Sequence, residues 1–219
     1  MKKTKKILSL ILLVVLAMSL VGCGKKDTSD QLIGTWALTF NYAPYIEEEL
    51  VSLDSMYLDF HEKFDITTKL TFNADGTFSW VVDEEALSAT LDTYVKSLAQ
   101  FDTDYVYAQY EAEEGYTTQD AEDYFQEKYG MSVYDAMYED WVNNFYTLDH
   151  FTDNFSISGV YEARGDEVHM DEHEVQDNVF DVFTVVGDTL TLNPPPGAEE
   201  ESSGIEGFDY PYVFTRVAE

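Results

Sequence analysis

The chain of 219 residues carries 43 acidic residues against 12 basic ones, a formal charge of -31, and aromatic residues make up 15% of it. So strong an acidic excess excludes nucleic acid as a natural partner and offers no basic patch to an anionic membrane. The aromatic content excludes a disordered chain, and a single cysteine excludes a disulfide framework.

In chain order, residues 1–22 divide into a basic head (Lys2, Lys3, Lys5, Lys6), an apolar stretch from Ile7 to Leu20, and Gly22 just before Cys23. This is the layout of a cleaved secretory signal, too short in its apolar part for a membrane span, which needs about 20 residues. "LVGC", Leu20 to Cys23, resembles the lipobox of bacterial lipoproteins. That resemblance implies cleavage before Cys23, lipid attachment to its thiol with fatty-acyl chains of the palmitate kind, and an extracytoplasmic domain held to the cell membrane. Two acyl chains hold a protein at a bilayer far better than one, since each buried methylene adds about 0.8 kcal/mol. Cleavage leaves eight basic residues against 43 acidic ones, a formal charge of -35. Residues 23–30 then read as a polar, lipid-anchored tether and 31–219 as a single domain.

The domain opens with period-2 alternation in "GTWALTFNY", a strand over 34–42. "APYIEEELVSLDSMYLDFHEKF" follows, with Pro44 suited to a first helical position and Ile46, Leu50, Leu53, Tyr57, Phe60 and Phe64 stepping by three and four; this predicts a helix over 44–64. Strands at 66–73 and 77–83 flank an Asp-Gly turn at Asp75 and Gly76, a hairpin. A helical insertion then occupies 84–150, with helix over 84–146. Its first apolar stripe is Leu87, Leu91, Tyr94, Leu98 and Phe101; its second helix is capped by Thr118 and stops at Gly130; its third starts after Ser132 and carries Tyr134, Met137, Tyr138, Trp141 and Phe145. The aromatic residues from Tyr94 to Tyr146 read as the seam by which these helices pack on the sheet. Strands return at 154–163, 167–172, 178–186, 189–193 and 211–217, with turns at Gly165–Asp166 and Gly187–Asp188. As an excursion between two neighbouring strands, the insertion reads as removable, because loop closure is cheap.

"GTW" at Gly34 to Trp36, "TFNADGTF" at the first hairpin and Arg216 on the last strand together resemble the lipocalin-like proteins, including small bacterial lipoproteins of that kind. The resemblance implies an eight-stranded antiparallel barrel or strongly curved sheet, mainly β with helical insertions. It also implies that Trp36 packs at the closed end against Arg216, a cation-π contact of about 0.5–2 kcal/mol. Such a barrel is either filled by side chains or holds one small ligand.

Motifs for chemistry are sparse. "HMDEH" spaces His169 and His173 four apart, which on a helix would set two imidazoles on one face for a metal. The segment reads as a strand entering a turn, so no metal site is assigned and these two stand as the weak candidates. His61 and His150 show no evident partner. Arg164-Gly165-Asp166 is turn chemistry, as is Asp75-Gly76. No catalytic residue is assigned: the mature chain has no cysteine nucleophile, Gly-x-Ser-x-Gly elbow or phosphate-binding loop, and carboxylate pairs are too abundant to be informative. The sequence predicts a non-enzymatic, lipid-anchored extracytoplasmic binding protein without cofactor, holding a small apolar ligand in the barrel. The alternative is a cell-envelope interaction module with a filled barrel, whose acidic surface meets a basic protein.

Overall fold

The computed structural model describes residues 25–113, 115–198 and 210–218. Eight antiparallel strands run in sequence order round a closed barrel: β1 Gly34–Asn41, β2 Asp65–Phe72, β3 Thr77–Val82, β4 Ile157–Arg164, β5 Glu167–Asp171, β6 Asp181–Val186, β7 Thr189–Asn193 and β8 Tyr212–Arg216. The seam closes where Trp36 pairs with Arg216 and Ala37 with Thr215. This is the mainly-β fold with helical insertions that the alternating sequence predicts.

Inward and outward residues alternate as the pleat requires. Trp36 pairs with Leu70, Leu70 with Trp80, and Phe72 with Phe78, all on the inner face. Outside, Thr35 and Thr39 join Thr71 and Thr67 through hydroxyl hydrogen bonds of 3.1 and 2.8 Å. The interior is packed: Trp80 stands edge-on to Tyr212 and Phe214 at 5.6 Å, Phe72 meets Tyr161 at 4.7 Å, and the Trp80 indole N–H donates to the inward Thr68 hydroxyl at 2.9 Å.

One end is closed by the chain itself. Residues Lys25 to Thr28 lie along the last residues of β4, where β3 has already ended, and a short 3-10 turn, Ser29–Gln31, carries Leu32 beneath the barrel. The predicted tether over 23–30 is therefore docked from Lys25 onward: the Thr28 amide donates to the Ala163 carbonyl at 3.1 Å and the Gly165 amide to that of Lys26 at 2.7 Å. These bonds satisfy backbone groups that an uncovered strand edge would expose.

The other end, the mouth, is covered by helices α1 Ala43–Leu53, α2 Glu84–Ala112, α3 Thr118–Tyr129, α4 Val133–Asn144 and α5 Leu148–Asn154. The predicted helix over 44–64 stops at Leu53. The Asp54 carboxylate accepts from the Met56 amide, opening a 3-10 turn over Ser55–Asp59, and Phe60, which ends the turn, is extended. Tyr57, Phe60 and Phe64 are still buried, because a 3-10 turn keeps nearly the same spacing. The insertion holds four helices rather than three: α5, seven residues started by Thr147, runs on to Asn154, where a strand was expected to begin, and β4 begins only at Ile157. Helix α3 starts one residue earlier than read, with Thr117 and Asp120 forming a capping box. Phe151 and Phe155 from this region join Tyr42, Phe64 and Tyr94 in an aromatic plug over the mouth, with ring centroids 5.1–5.9 Å apart. Barrel and cap share one hydrophobic core.

Candidate functional site

The residues singled out by the family resemblance meet at the closed end. The Arg216 guanidinium lies 3.9 Å from the Trp36 ring centre and donates through Nη1 to the Ile33 carbonyl at 3.0 Å. The Trp36 indole N–H donates to the Leu32 carbonyl at 2.7 Å, and the whole side chain is buried. Gly34, at φ 127°, begins the strand. This is a structural clasp with no opening to a ligand. Cys23 and the signal segment lie outside the described residues.

The two histidines are not brought together as a metal pair. The β4–β5 register opposes His169 to Glu162, on the outer face, where the side chain is 2% exposed beneath the loop after β5. Its Nδ1 faces the Gln176 carbonyl at 3.1 Å, and its Nε2 lies 3.8 Å from a Glu167 oxygen. His173 is exposed in the turn, its amide donating to Asp171 at 2.8 Å. Among the described residues no group of three His, Cys, Asp or Glu side chains is gathered to hold a metal. His61 lies 3.3 Å from Glu47, and His150 stacks on Tyr146.

The open concavities among the described residues that bear on ligand binding lie in the cap. A cleft of about 440 Å³ runs between α1 and α4, floored by Ile46, Leu50 and Leu53 and walled by Trp141, Phe145 and Tyr146. Leu53 is 75% exposed there, an apolar side chain with little cover. The indole of Trp141 is held from behind: its N–H donates to Asp102 on α2 at 2.7 Å, and the Tyr57 hydroxyl donates to the other oxygen of that carboxylate at 3.0 Å. Tyr57 and Trp141 meet edge to face at 6.0 Å. Asp102 is 8% exposed, so burial pushes its carboxyl above the usual carboxylate range while the two donors oppose that shift. At the rim, the Tyr146 hydroxyl donates to Glu49, the one carboxylate lining the cleft.

Comparison with protein-family models, curated proteins and solved structures finds no match for this chain.

A second cleft, of about 550 Å³, lies between α2 and α3, lined by Tyr110, Tyr116 and Tyr124 with Glu113, Asp120, Asp123 and Glu127. Lys128 lies 5.1 and 4.8 Å from the ring centres of Tyr124 and Tyr129 nearby. The barrel also carries an inward carboxylate: the β5–β6 register sets Asp181 opposite the buried Val168, and the Tyr210 hydroxyl donates to it at 2.6 Å. Burial again raises its proton affinity, with the tyrosine opposing.

Sequence reasoning missed the Asp102, Tyr57 and Trp141 cluster. One signal was present: Asp102 follows Leu98 by four residues, an acid on the apolar stripe of α2, and such a group is buried only with partners. The aromatic seam reading holds for Tyr94, which is buried, but Tyr105, Tyr116, Tyr124 and Tyr129 face solvent. Among the described residues no helix is long and apolar enough to cross a membrane.

Proposed function

We propose that this is a lipid-anchored, extracytoplasmic, non-catalytic binding protein that works through its helical cap. The observation that carries this reading is the contrast between a barrel interior filled by aromatic side chains and an apolar cleft left open between α1 and α4. The packed interior weighs against the small ligand sitting inside the barrel, where the sequence alone would put it. The cleft has the volume and make-up of a site for a small apolar molecule: aromatic walls, an aliphatic floor, and one carboxylate at the rim to orient it. Trp141 is pre-positioned by Asp102, so its ring need not be ordered on binding. Anchoring through Cys23 is supported by its place at the end of the signal-like segment.

Titration of the purified domain with Nile red, followed by native mass spectrometry of protein extracted in mild detergent, tests the site. Leu53→Glu, at an exposed position on the floor, is expected to leave the fold intact and weaken binding at least tenfold, about 1.4 kcal/mol. Binding untouched by Leu53→Glu would remove the cleft from consideration. Cys23→Ala is expected to abolish fatty-acid labelling of the full chain, and undiminished label would end the lipoprotein reading.

A second reading rests on charge. Residues 84–154 carry 17 acidic and two basic side chains, which suits a basic protein partner. Salt-sensitive capture of a lysine-rich peptide that is indifferent to Leu53→Glu would favour it.

A further inference from the structure

We propose that the closed end of the barrel is the face this protein lays against the lipid surface, with the helical cap held on the far side. The inference rests on the reading that Cys23 carries the lipid, and adds to it an orientation and a standoff.

Strand β4 runs from the mouth at Ile157 to the closed end at Arg164. The segment from Lys25 to Thr28 lies antiparallel to it, with Asp27 bridged to Arg164. A chain antiparallel to a descending strand ascends, so its N-terminal side points outward past the closed end. Four contacts fix this direction: the Thr28 amide to Ala163, the Thr28 hydroxyl to the Gly165 carbonyl at 2.9 Å, the Gly165 amide to Lys26, and the Lys25 ammonium to Glu167. Only Gly24 separates Lys25 from Cys23. Two Cα steps reach at most about 7.6 Å, so a lipid on Cys23 brings the closed end to within about that distance of the headgroups. An eight-residue strand such as β1 is about 27 Å long, which sets the mouth and cap well away.

The charge distribution selects the same orientation independently. The segments that make the closed end, residues 25–33, 73–76, 164–167, 186–189 and 215–218, hold four basic and six acidic side chains, whereas residues 84–154 hold two and 17. An anionic bilayer repels the cap far more than the closed end, over a screening length of about 8 Å at physiological ionic strength. Val186, 76% exposed at the β6–β7 turn, also presents an apolar side chain on this face.

Fluorescence quenching on the full, acylated chain in vesicles of phosphatidylcholine and phosphatidylglycerol decides the matter. Cys23 is the sole cysteine and its thiol is consumed by the lipid, so a second cysteine takes the fluorophore alone. Two exposed positions serve: Asp188→Cys in the β6–β7 turn at the closed end, and Gln126→Cys on α3. With nitroxide-labelled lipid in the vesicle, the label at 188 is expected to be quenched several-fold more strongly than that at 126. Inserting about twelve Gly/Ser residues after Gly24, a flexible coil of about 20 Å, is expected to reduce the contrast. Equal quenching at the two positions or stronger quenching at 126 overturns the orientation while leaving the anchor intact, and a contrast unmoved by the insertion overturns the standoff set by the short tether. A chain whose mass shows no acyl group fails at the anchor itself, and the orientation falls with it.

Discussion

A Cβ built on Gly34 would lie 2.7 Å from Nη1 of Arg216, so the guanidinium passes through space that only a glycine leaves free. The same glycine sits at φ 127°, a backbone conformation L side chains rarely adopt. Gly34→Ala is therefore expected to destabilise the domain on both counts, by about 1–3 kcal/mol for the backbone strain and more for the displaced arginine. Denaturant unfolding in a double-mutant cycle with Arg216→Ala separates the two. The part that vanishes when Arg216 is already gone belongs to the clash, and a cycle with no coupling would mean the arginine moves aside freely.

Trp36→Ala removes a fully buried indole together with its bond to Leu32 and its cation-π partner. The expected loss is about 3–5 kcal/mol, the range for truncating large buried aromatics. Urea denaturation of residues 25–219 measures it, and a loss under about 1 kcal/mol would show that the closed end collapses around the gap.

Asp102 gives a pH-dependent prediction. Its carboxyl is raised above the ordinary value, chiefly by burial, so the folded state holds this proton more tightly than the unfolded chain. Its contribution to stability then falls as pH rises from the unfolded value through the folded one, and stays low above it. In Asp102→Asn that slope disappears, while the amide oxygen still accepts from the Trp141 indole and the amide NH2 donates to the Tyr57 hydroxyl, without a charge. The difference in unfolding free energy between wild type and Asp102→Asn should thus shift against the wild type on going from pH 4 to pH 7. A difference that is flat with pH, followed by denaturant titration at each pH, would mean that Asp102 stays as solvated as in the unfolded chain.

The strands were legible because their residues alternate and their turns carry Asp-Gly or Gly-Asp pairs, and strand ends were displaced by no more than three residues. Trp36 and Arg216 could be paired only through the family resemblance, since nothing local links positions so far apart in sequence. The cap was read less well for two physical reasons. Tyr57, Phe60 and Phe64 keep a spacing of three and four that an α-helix, or a 3-10 turn that ends at an extended residue, can equally produce. The seven-residue α5 is shorter than the window in which helical periodicity becomes distinct, and Phe155 beyond it fits a strand pattern as well as a helix one. The cleft between α1 and α4 was invisible because it depends on where two helices distant in sequence come to lie.

The shared core argues against the expectation that the insertion is removable. Leu87, Tyr94, Leu98 and Phe151 are all 1% exposed or less. At about 1.5–3 kcal/mol each for a buried apolar side chain, their loss alone matches the 5–15 kcal/mol by which domains are stable. Replacing 84–154 with a Gly/Ser link is expected to abolish the cooperative melt in circular dichroism; a deletion product that still melts sharply would show the barrel to be self-sufficient.

The place of the helices between β3 and β4 also bears on how the chain finds its fold. Every other neighbouring pair from β2 to β7 is joined through a turn or a short loop, but Trp80 can meet Ile157 only after residues 83 to 156 have been gathered in. Relative to a tight hairpin that is about four doublings of loop length, an entropic penalty of roughly 2–3 kcal/mol. Two local meanders, β1 to β3 and β4 to β7, can form early, with the long-range joins to follow. The helices draw the ends of β3 and β4 together, so the cap over the mouth is also the element that brings the two halves of the barrel within reach of each other.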